Sequence, residues 1–337
     1  MSTNRRILSG MRSTNPKLHI GNYEGALRNW VDLQNEGFDM FCMVADWHAL
    51  TTGYEQAGEI SRNAREIAKD YIAAGIDPEK SVIFIQSHVK EHAELHVLFS
   101  MITPLGWLER VPTYKEKQQD MQGAEREPYG LLGYPVLQTV DILLYKPLGV
   151  PVGRDQAPHL EIGNDIAERF NRLYKTEVFS RYKYMIPEDE TRAKLPGLDA
   201  DENGVLRKMS KSYDNCIYLS DTADETATKI KSAFTTPSKL RRDDPGIPEG
   251  CAVCQMLKVY SPTWETQWSE DREGMRGCMQ NKKELTEAIN EYFRPMRERR
   301  AQIDDAAIEE ILNNGAERAR AVASATMAEV RAAMGIF

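Results

Sequence analysis

Residues 6–25 read RILSGMRSTNPKLHIGNYEG, a short apolar run, a turn with Gly10 and Pro16, and then a helical opening at Leu18-His19-Ile20-Gly21-Asn22. Arg6-Ile7-Leu8-Ser9 reads as a first strand. Outward from it, Phe41–Ala45 and Ser81–Gln86 (SVIFIQ) read as second and third strands, and Val150–Gly153 as a fourth. The segments 20–34 and 55–74 between them place apolar residues three and four apart, as amphipathic helices require. Strands alternating with helices predict a parallel sheet covered by helices, an α/β Rossmann-like fold. After Pro237 no strand candidate remains, and Cys251–Val259 and Lys282–Ala333 are helical in pattern. A boundary between 220 and 240 is expected, with an α/β domain over 1–220 and an all-helical domain over 221–337. The stretch 104–133, rich in Lys, Glu, Gln and Gly, reads as an insertion in the sheet domain. Residues 187–206, rich in Pro, Gly and Asp, read as a mobile surface loop running into 207–215.

The chain has 337 residues, 41% hydrophobic and 28% charged, which excludes disordered and fibrous classes. Ile7 and Leu8 before Ser9-Gly10 are too few for a signal-peptide apolar region, and no apolar run is long enough for a bilayer, so no membrane partner is expected. Five cysteines, an odd number in a chain this long, do not read as a disulfide framework; the expectation is a cytoplasmic protein. The net charge of −8 leaves nucleic-acid contact to local patches such as Lys239–Arg242, the Arg294, Arg297, Arg299, Arg300 group, and Arg318 with Arg320, each of which also reads as a solvated helix face.

Neither G-x-x-x-x-G-K-[ST] nor G-x-G-x-x-G occurs. Two other stretches can hold a nucleotide. At Leu18–Asn22 the chain enters a helix, whose free amides and dipole favour an anion. Gly21 lets a flat base approach the backbone, and His19 and Asn22 can donate to phosphate. A histidine at a helix start also reads as a capping residue. Lys208-Met209-Ser210-Lys211-Ser212 places two ammonium groups and hydroxyls where they can converge on one polyphosphate; its bland reading is a solvated turn. A given five-residue string arises by chance in about one chain in ten thousand of this length, so the stretch is specific if it functions.

Together these stretches resemble the HIGH and KMSKS signatures of class I aminoacyl-tRNA synthetases, in the family's order, with Asn22 in the last place of the first, a variant similar to one among tryptophanyl enzymes. Ser9–Lys17 resembles the family's turn but lacks its proline and glycine. Tyr134–Tyr145 (YPVLQTVDILLY) looks like the family's tryptophan-binding helix, and Val150–Glu161, with Gly-Arg-Asp-Gln-Ala-Pro-His, favours tryptophan over tyrosine. A tyrosyl enzyme is the alternative. The implied reaction is activation of L-tryptophan by ATP with Mg²⁺, then transfer to the 3′-terminal ribose of tRNA(Trp). The resemblance implies that His19, Gly21 and Asn22, with Arg12, Ser13 and Thr14, hold adenosine and phosphates, and that Gly153, Arg154 and Asp155 line the ATP site, Asp155 on the ribose. It puts Leu195 near adenine, Lys117 in the triphosphate site, and Lys208, Met209, Ser210, Lys211 and Ser212 around the leaving pyrophosphate. Tyr134, Gln138 and Gln156 are implied for tryptophan. An indole N–H only donates, so Asp141 supplies an acceptor, although a phenol hydroxyl would satisfy it equally. The resemblance implies a homodimer that the insertion helps to form, and the insertion's length leaves no room for an editing module.

Cys251, Cys254 and Cys278 lie where some tryptophanyl enzymes carry four cysteines for an iron–sulfur cluster. Asp271 and Asn281 stand in two of those places, and every histidine lies at or before His159, so no cluster or metal is expected there. A nucleotidylyltransferase would share the first signature but would not need the helical domain, and a binding protein that had lost catalysis would not keep Lys208, Lys211, Asp155 and Gln156.

Overall fold

The computed structural model describes residues 5–111, 128–153, 157–186, 192, 194–236, 239 and 241–336, with the side chains of 157–159 excepted. Five strands, β1 (Arg6–Arg12), β2 (Asp39–Ala45), β3 (Val82–Ile85), β4 (Gly149–Pro151) and β5 (Lys183–Met185), form one sheet in the order β3-β2-β1-β4-β5, every pair parallel. A parallel sheet is covered on both faces, which is why β2 (DMFCMVA) and β3 (VIFI) are almost wholly buried and read as continuous apolar runs. The sequence reading has the first four strands, ending β1 three residues early. It lacks β5, a three-residue strand with Lys183 exposed, which carries no apolar run.

The chain divides into two compact units. One comprises residues 1–16, 30–187 and 303–337; the other comprises 17–29 and 188–302. This division does not follow the expected boundary near 220. The final helix, Asp305–Met334, belongs with the sheet, and residues 17–29 and 188–220 belong with the helices of the later chain.

In the sheet unit, the helix Ala57–Ala74 buries Ile60, Ala64, Ile67, Ala68 and Tyr71 on one face and ends at Gly75, whose φ of 117° suits glycine. The final helix is capped by Asp304, whose side chain accepts the Ala307 N–H at 2.7 Å. It lies so close to β3 that a Cβ on Gly315 would fall 1.8 Å from the Ile83 carbonyl oxygen. Ala316, Ala319 and Ala323, all buried, continue that small-residue face, and Met327 and Val330 complete it at 0% exposure. Arg318 donates to the Pro78 carbonyl at 2.8 Å, and Thr326 to that of Leu144 at 2.8 Å. Of the candidate basic patches, Arg318 and Arg320 are therefore bound to backbone carbonyls of the sheet unit, Arg320 to His88 at 2.8 Å.

In the second unit, β6 (Pro196–Ala200) and β7 (Leu206–Lys208) form an antiparallel hairpin in the segment read as a loop; Asp201, Asn203 and Gly204, at φ 77°, make its turn. Polar and glycine content marked the turn and hid the short strands beside it. Helices Ala223–Ser232, Ala252–Tyr260, Trp264–Arg272 and Cys278–Ala301 complete this unit. Arg297, from another candidate patch, donates to Asn290 Oδ1 and Thr226 Oγ1 at 2.7 and 2.9 Å and is structural. Among the described residues, no helix is long and apolar enough to cross a membrane.

Candidate active site

The sheet unit has its topological switch point between β1 and β4, where the chain leaves one strand toward β2 and the other toward β5; ligands in open α/β sheets bind outside the strand ends at such a point. Arg12 ends β1 there, followed by Ser13 and Thr14, while Val152 and Gly153 follow β4. Arg12, Thr14 and Gly153 are exposed. Ser13 is 0% exposed and its hydroxyl has no hydrogen-bond partner among the described residues, an orphaned donor beside the crevice. Arg154, Asp155, Gln156 and Lys117 lie outside the described residues.

The neighbouring strand ends converge on one carboxylate. β2 runs into Asp46-Trp47-His48 and β3 into Gln86, and Asp141 comes from the helix Tyr129–Leu143. Asp141 Oδ1 accepts from Gln86 Nε2 at 2.7 Å and from His92 Nδ1 at 2.6 Å, and Oδ2 from His48 Nε2 at 2.7 Å. His92 Nε2 meets the Tyr145 hydroxyl at 2.8 Å. Burial pushes the Asp141 carboxyl up, but His48 and His92 outweigh it and hold it at about 2. An ionised carboxylate only accepts, so His92 carries a proton on Nδ1, while its Nε2 faces the Tyr145 hydroxyl. Asp141 is 2% exposed, and of its four lone-pair positions three are filled; the fourth lies on Oδ2.

Tyr134, Gln138 and Asp141 fall at i, i+4 and i+7 on one helix face. A cavity of about 290 Å³ lies beside that helix, lined by Trp47, Leu50, Tyr54, His96, Tyr134 and Leu137 among others. It is the size of one large amino acid side chain and its surroundings. The His48 ring stands edge-on to that of Tyr134 at 6.3 Å, so His48 links this wall to the Asp141 carboxylate. His96 adds a buried Nδ1 without a partner among the described residues. Asp141 and Gln138 are not among the cavity's lining residues; Gln138 is half-buried on the helix.

The second unit holds both signature stretches. Immediately after KMSKS the chain pairs with HIGN: Ile20 N–H donates to the Ile217 carbonyl at 2.9 Å and Leu219 N–H to that of Leu18 at 2.8 Å. His19 caps the helix opening. Its Nδ1 accepts the Asn22 N–H at 3.2 Å, while Asn22 Oδ1 accepts the His19 N–H at 3.1 Å, a reciprocal capping box. The histidine is thus a cap as well as a signature residue. The cap fixes its tautomer, leaving Nε2–H to donate and Asn22 Nδ2 as that side chain's donor. Burial, then the charges of Lys211 and Lys208, push the His19 imidazole down to about 4. Gly21 keeps the approach open, since a Cβ there would lie 3.0 Å from His19 Nδ1, and Met209, 3% exposed, covers the other side with its sulfur 3.6 Å from that position.

Lys208 ends β7 exposed, Lys211 is half-buried, and Ser210 caps the turn Lys211–Tyr213 by accepting the Ser212 N–H at 3.4 Å. Asn215, absent from the sequence reading, holds this loop: its Oδ1 accepts the Ser210 N–H at 2.8 Å, and its Nδ2 donates to the Lys208 carbonyl at 3.1 Å and to Asp199 Oδ1 at 2.5 Å. Leu195 is 4% exposed. Since His19 is neutral above about pH 5, tryptophan-dependent pyrophosphate exchange measured from pH 5 to 8 is expected to show no ionisation belonging to His19. An acid limb near pH 6.5 that His19→Asn abolishes would contradict this.

At the cysteine region the residues do not fit a cluster. The Asp271 carboxylate accepts from Asn281 Nδ2 at 3.0 Å and lies 3.4 Å from Lys239 Nζ, and both partners line the same small hollow as Cys251 and Cys278.

A parallel sheet with an open switch point and a lysine-bearing signature laced to a histidine-capped one define a nucleotide-activating synthetase. The family model for tRNA synthetases class I (W and Y) matches residues 2–294, so the chain belongs to that family. The tryptophan–tRNA ligase of Thermotoga maritima is 45% identical over 98% of this chain and 99% of its own, and that of Aquifex aeolicus 40% identical over 98% and 100%. The crystal structure of tryptophanyl-tRNA synthetase from Campylobacter jejuni, complexed with ADP and tryptophan, is 33% identical, covers 98% of this chain and 100% of that one, and superposes with a TM-score of 0.85. Within the family the chain falls with the tryptophanyl-tRNA synthetases.

Proposed function

We propose a residue-level course for this tryptophan–tRNA ligase, in which tryptophan carboxylate attacks the α-phosphorus of ATP, pyrophosphate leaves, and the tRNA(Trp) 3′-terminal ribose takes the acyl group. The observation that carries it is the pairing of HIGN with the strand after KMSKS, which keeps a neutral histidine donor and two lysines in one unit. Chain groups bind and neutralise, and catalysis comes from positioning and charge stabilisation. His19 Nε2–H and Asn22 Nδ2 donate to the phosphates, and Lys208 and Lys211 to the leaving pyrophosphate, with Ser210, Ser212 and Met209 shaping the loop. Lys117 joins the triphosphate. Arg12, Thr14, Gly153, Arg154 and Asp155 take the adenosine with Ser13, whose orphaned hydroxyl suits a polar ligand atom, and Leu195 backs the adenine.

For the amino acid, the cavity beside Tyr134 takes the side chain, the open lone pair on Asp141 Oδ2 accepts the indole N–H beside His48, and Tyr134, Gln138 and Gln156 hold the ammonium end. Mg²⁺ belongs with the ATP polyphosphate. Among the described residues no group of three His, Cys, Asp or Glu could hold a metal ion. Val97, Leu105 and Tyr129, on three neighbouring helices, and Met101, just past the end of the first, are large apolar side chains 51–74% exposed, which supports a homodimer. The helices of the second unit are the candidate anticodon-binding part, and the reaction is placed in the cytoplasm.

Labelled pyrophosphate exchange into ATP tests the substrate. Exchange dependent on tryptophan alone among the twenty amino acids is expected; equal or better exchange with tyrosine would promote the tyrosyl alternative.

A further inference from the structure

The helix Ala252–Tyr260 opens on Cys251-Ala252-Val253-Cys254, remote in sequence from both signatures. Cys251 is its cap, with extended backbone (φ −109°, ψ 117°), and its sulfur accepts the Cys254 N–H at 3.4 Å. Cys254 sits one turn on, 1% exposed, its sulfur accepting from Asn281 Nδ2 at 3.7 Å. Both cysteines thus sit on the first turn of one helix, and all five cysteines are unbridged. Cys251 is half-buried and lines a small hollow with Lys239, Lys282 and Cys278; Cys254 does not reach it.

The pair is chemically unequal. Hydrogen bonding from Cys254 draws the Cys251 thiol below its usual value although burial and Asp271 oppose it, and the same hydrogen bond with burial pushes Cys254 far up. An outer sulfur at a helix N-terminus with a buried partner three residues on is the arrangement in which the first thiolate attacks and the second resolves.

We propose that Cys251 and Cys254 are a redox-active dithiol, oxidised by low-molecular-weight disulfides to an intramolecular bridge. The Cys251 thiolate attacks one sulfur of the disulfide, the disulfide bond breaks, and one thiolate leaves. Cys254 then loses its proton and attacks the Cys251 sulfur, expelling the second thiolate. Two protein thiols are oxidised and one external disulfide is reduced to two thiols.

The test uses the full chain, reduced, freed of reductant and exposed to excess oxidised glutathione, followed by thiol counting and peptide mapping under native blocking. The expected result is loss of two of the five thiols with a Cys251–Cys254 link. Cys254→Ala should trap glutathione on Cys251, Cys278→Ala should leave the bridge intact, and Cys251→Ala should leave Cys254 unmodified. A Cys251–Cys278 link, glutathione on Cys254, or five thiols surviving in the parent protein would each overturn the proposal. The parent map needs no variant to fold, and tryptophan-dependent exchange on the same samples reports the established activity independently.

Discussion

Asp141→Ala is expected to lower kcat/KM for tryptophan adenylation by a factor on the order of 10² to 10³, the loss of a charge-assisted hydrogen bond in a buried site. It should also destabilise the sheet unit by about 3–5 kcal/mol, because His48, His92 and Gln86 all donate to this carboxylate and would be left facing each other. The two losses separate with a tryptophan analogue that lacks the ring N–H. Such an analogue should be a poor substrate for the parent enzyme and lose far less in the variant. Equal losses for both would make Asp141 a structural hub alone. The carboxyl is held at about 2, below its unfolded value, so its contribution to stability is complete above the unfolded value and is lost as pH falls toward 2. Chemical denaturation across that range should show the slope in the parent protein and lack it in Asp141→Asn.

Lys211→Ala is expected to lower the adenylation rate by a factor on the order of 10² to 10³ with tryptophan affinity nearly unchanged, since negative charge grows on the leaving pyrophosphate in the transition state. Removing Lys208 as well should deepen the loss. It should also raise the His19 imidazole toward its ordinary value, because both lysines help hold it near 4. An NMR titration of His19 reads that shift without turnover. An unchanged rate in the double variant would remove the phosphate role of the loop.

Much of this was legible in the sequence because its signals are local. β2 and β3 announce themselves as continuous apolar runs, and the two signatures as short strings of specific chemistry. What escaped depends on partners distant in sequence. The polar residues around Asp141 come from the ends of two strands and from the helix Glu91–Ser100; His48 and Gln86 each follow a buried parallel strand, a position that could have marked them. Nothing local in Asn215 tells that it clamps the lysine loop, nor in Ile217–Leu219 that it pairs with Leu18–Ile20. The stretch Lys282–Ala333 is helical in pattern, and the structure divides it into helices ending at Ala301 and beginning at Asp305; periodicity gives a buried face without naming what covers it. The spacing of Gly315 with small residues was the available hint of a close backbone neighbour.

That last helix sets an order on the making of the molecule. Its buried face, from Ile308 to Val330, covers β3 and nearby helices that emerge from the ribosome more than two hundred residues earlier. At synthesis speeds of about 5–20 residues per second, the apolar sheet waits on the order of ten seconds or more for its cover. During that interval the partial chain presents an unprotected β3 surface to chaperones and to other nascent chains, and a message cut short within its last tenth yields a protein with both signatures in place and an open core.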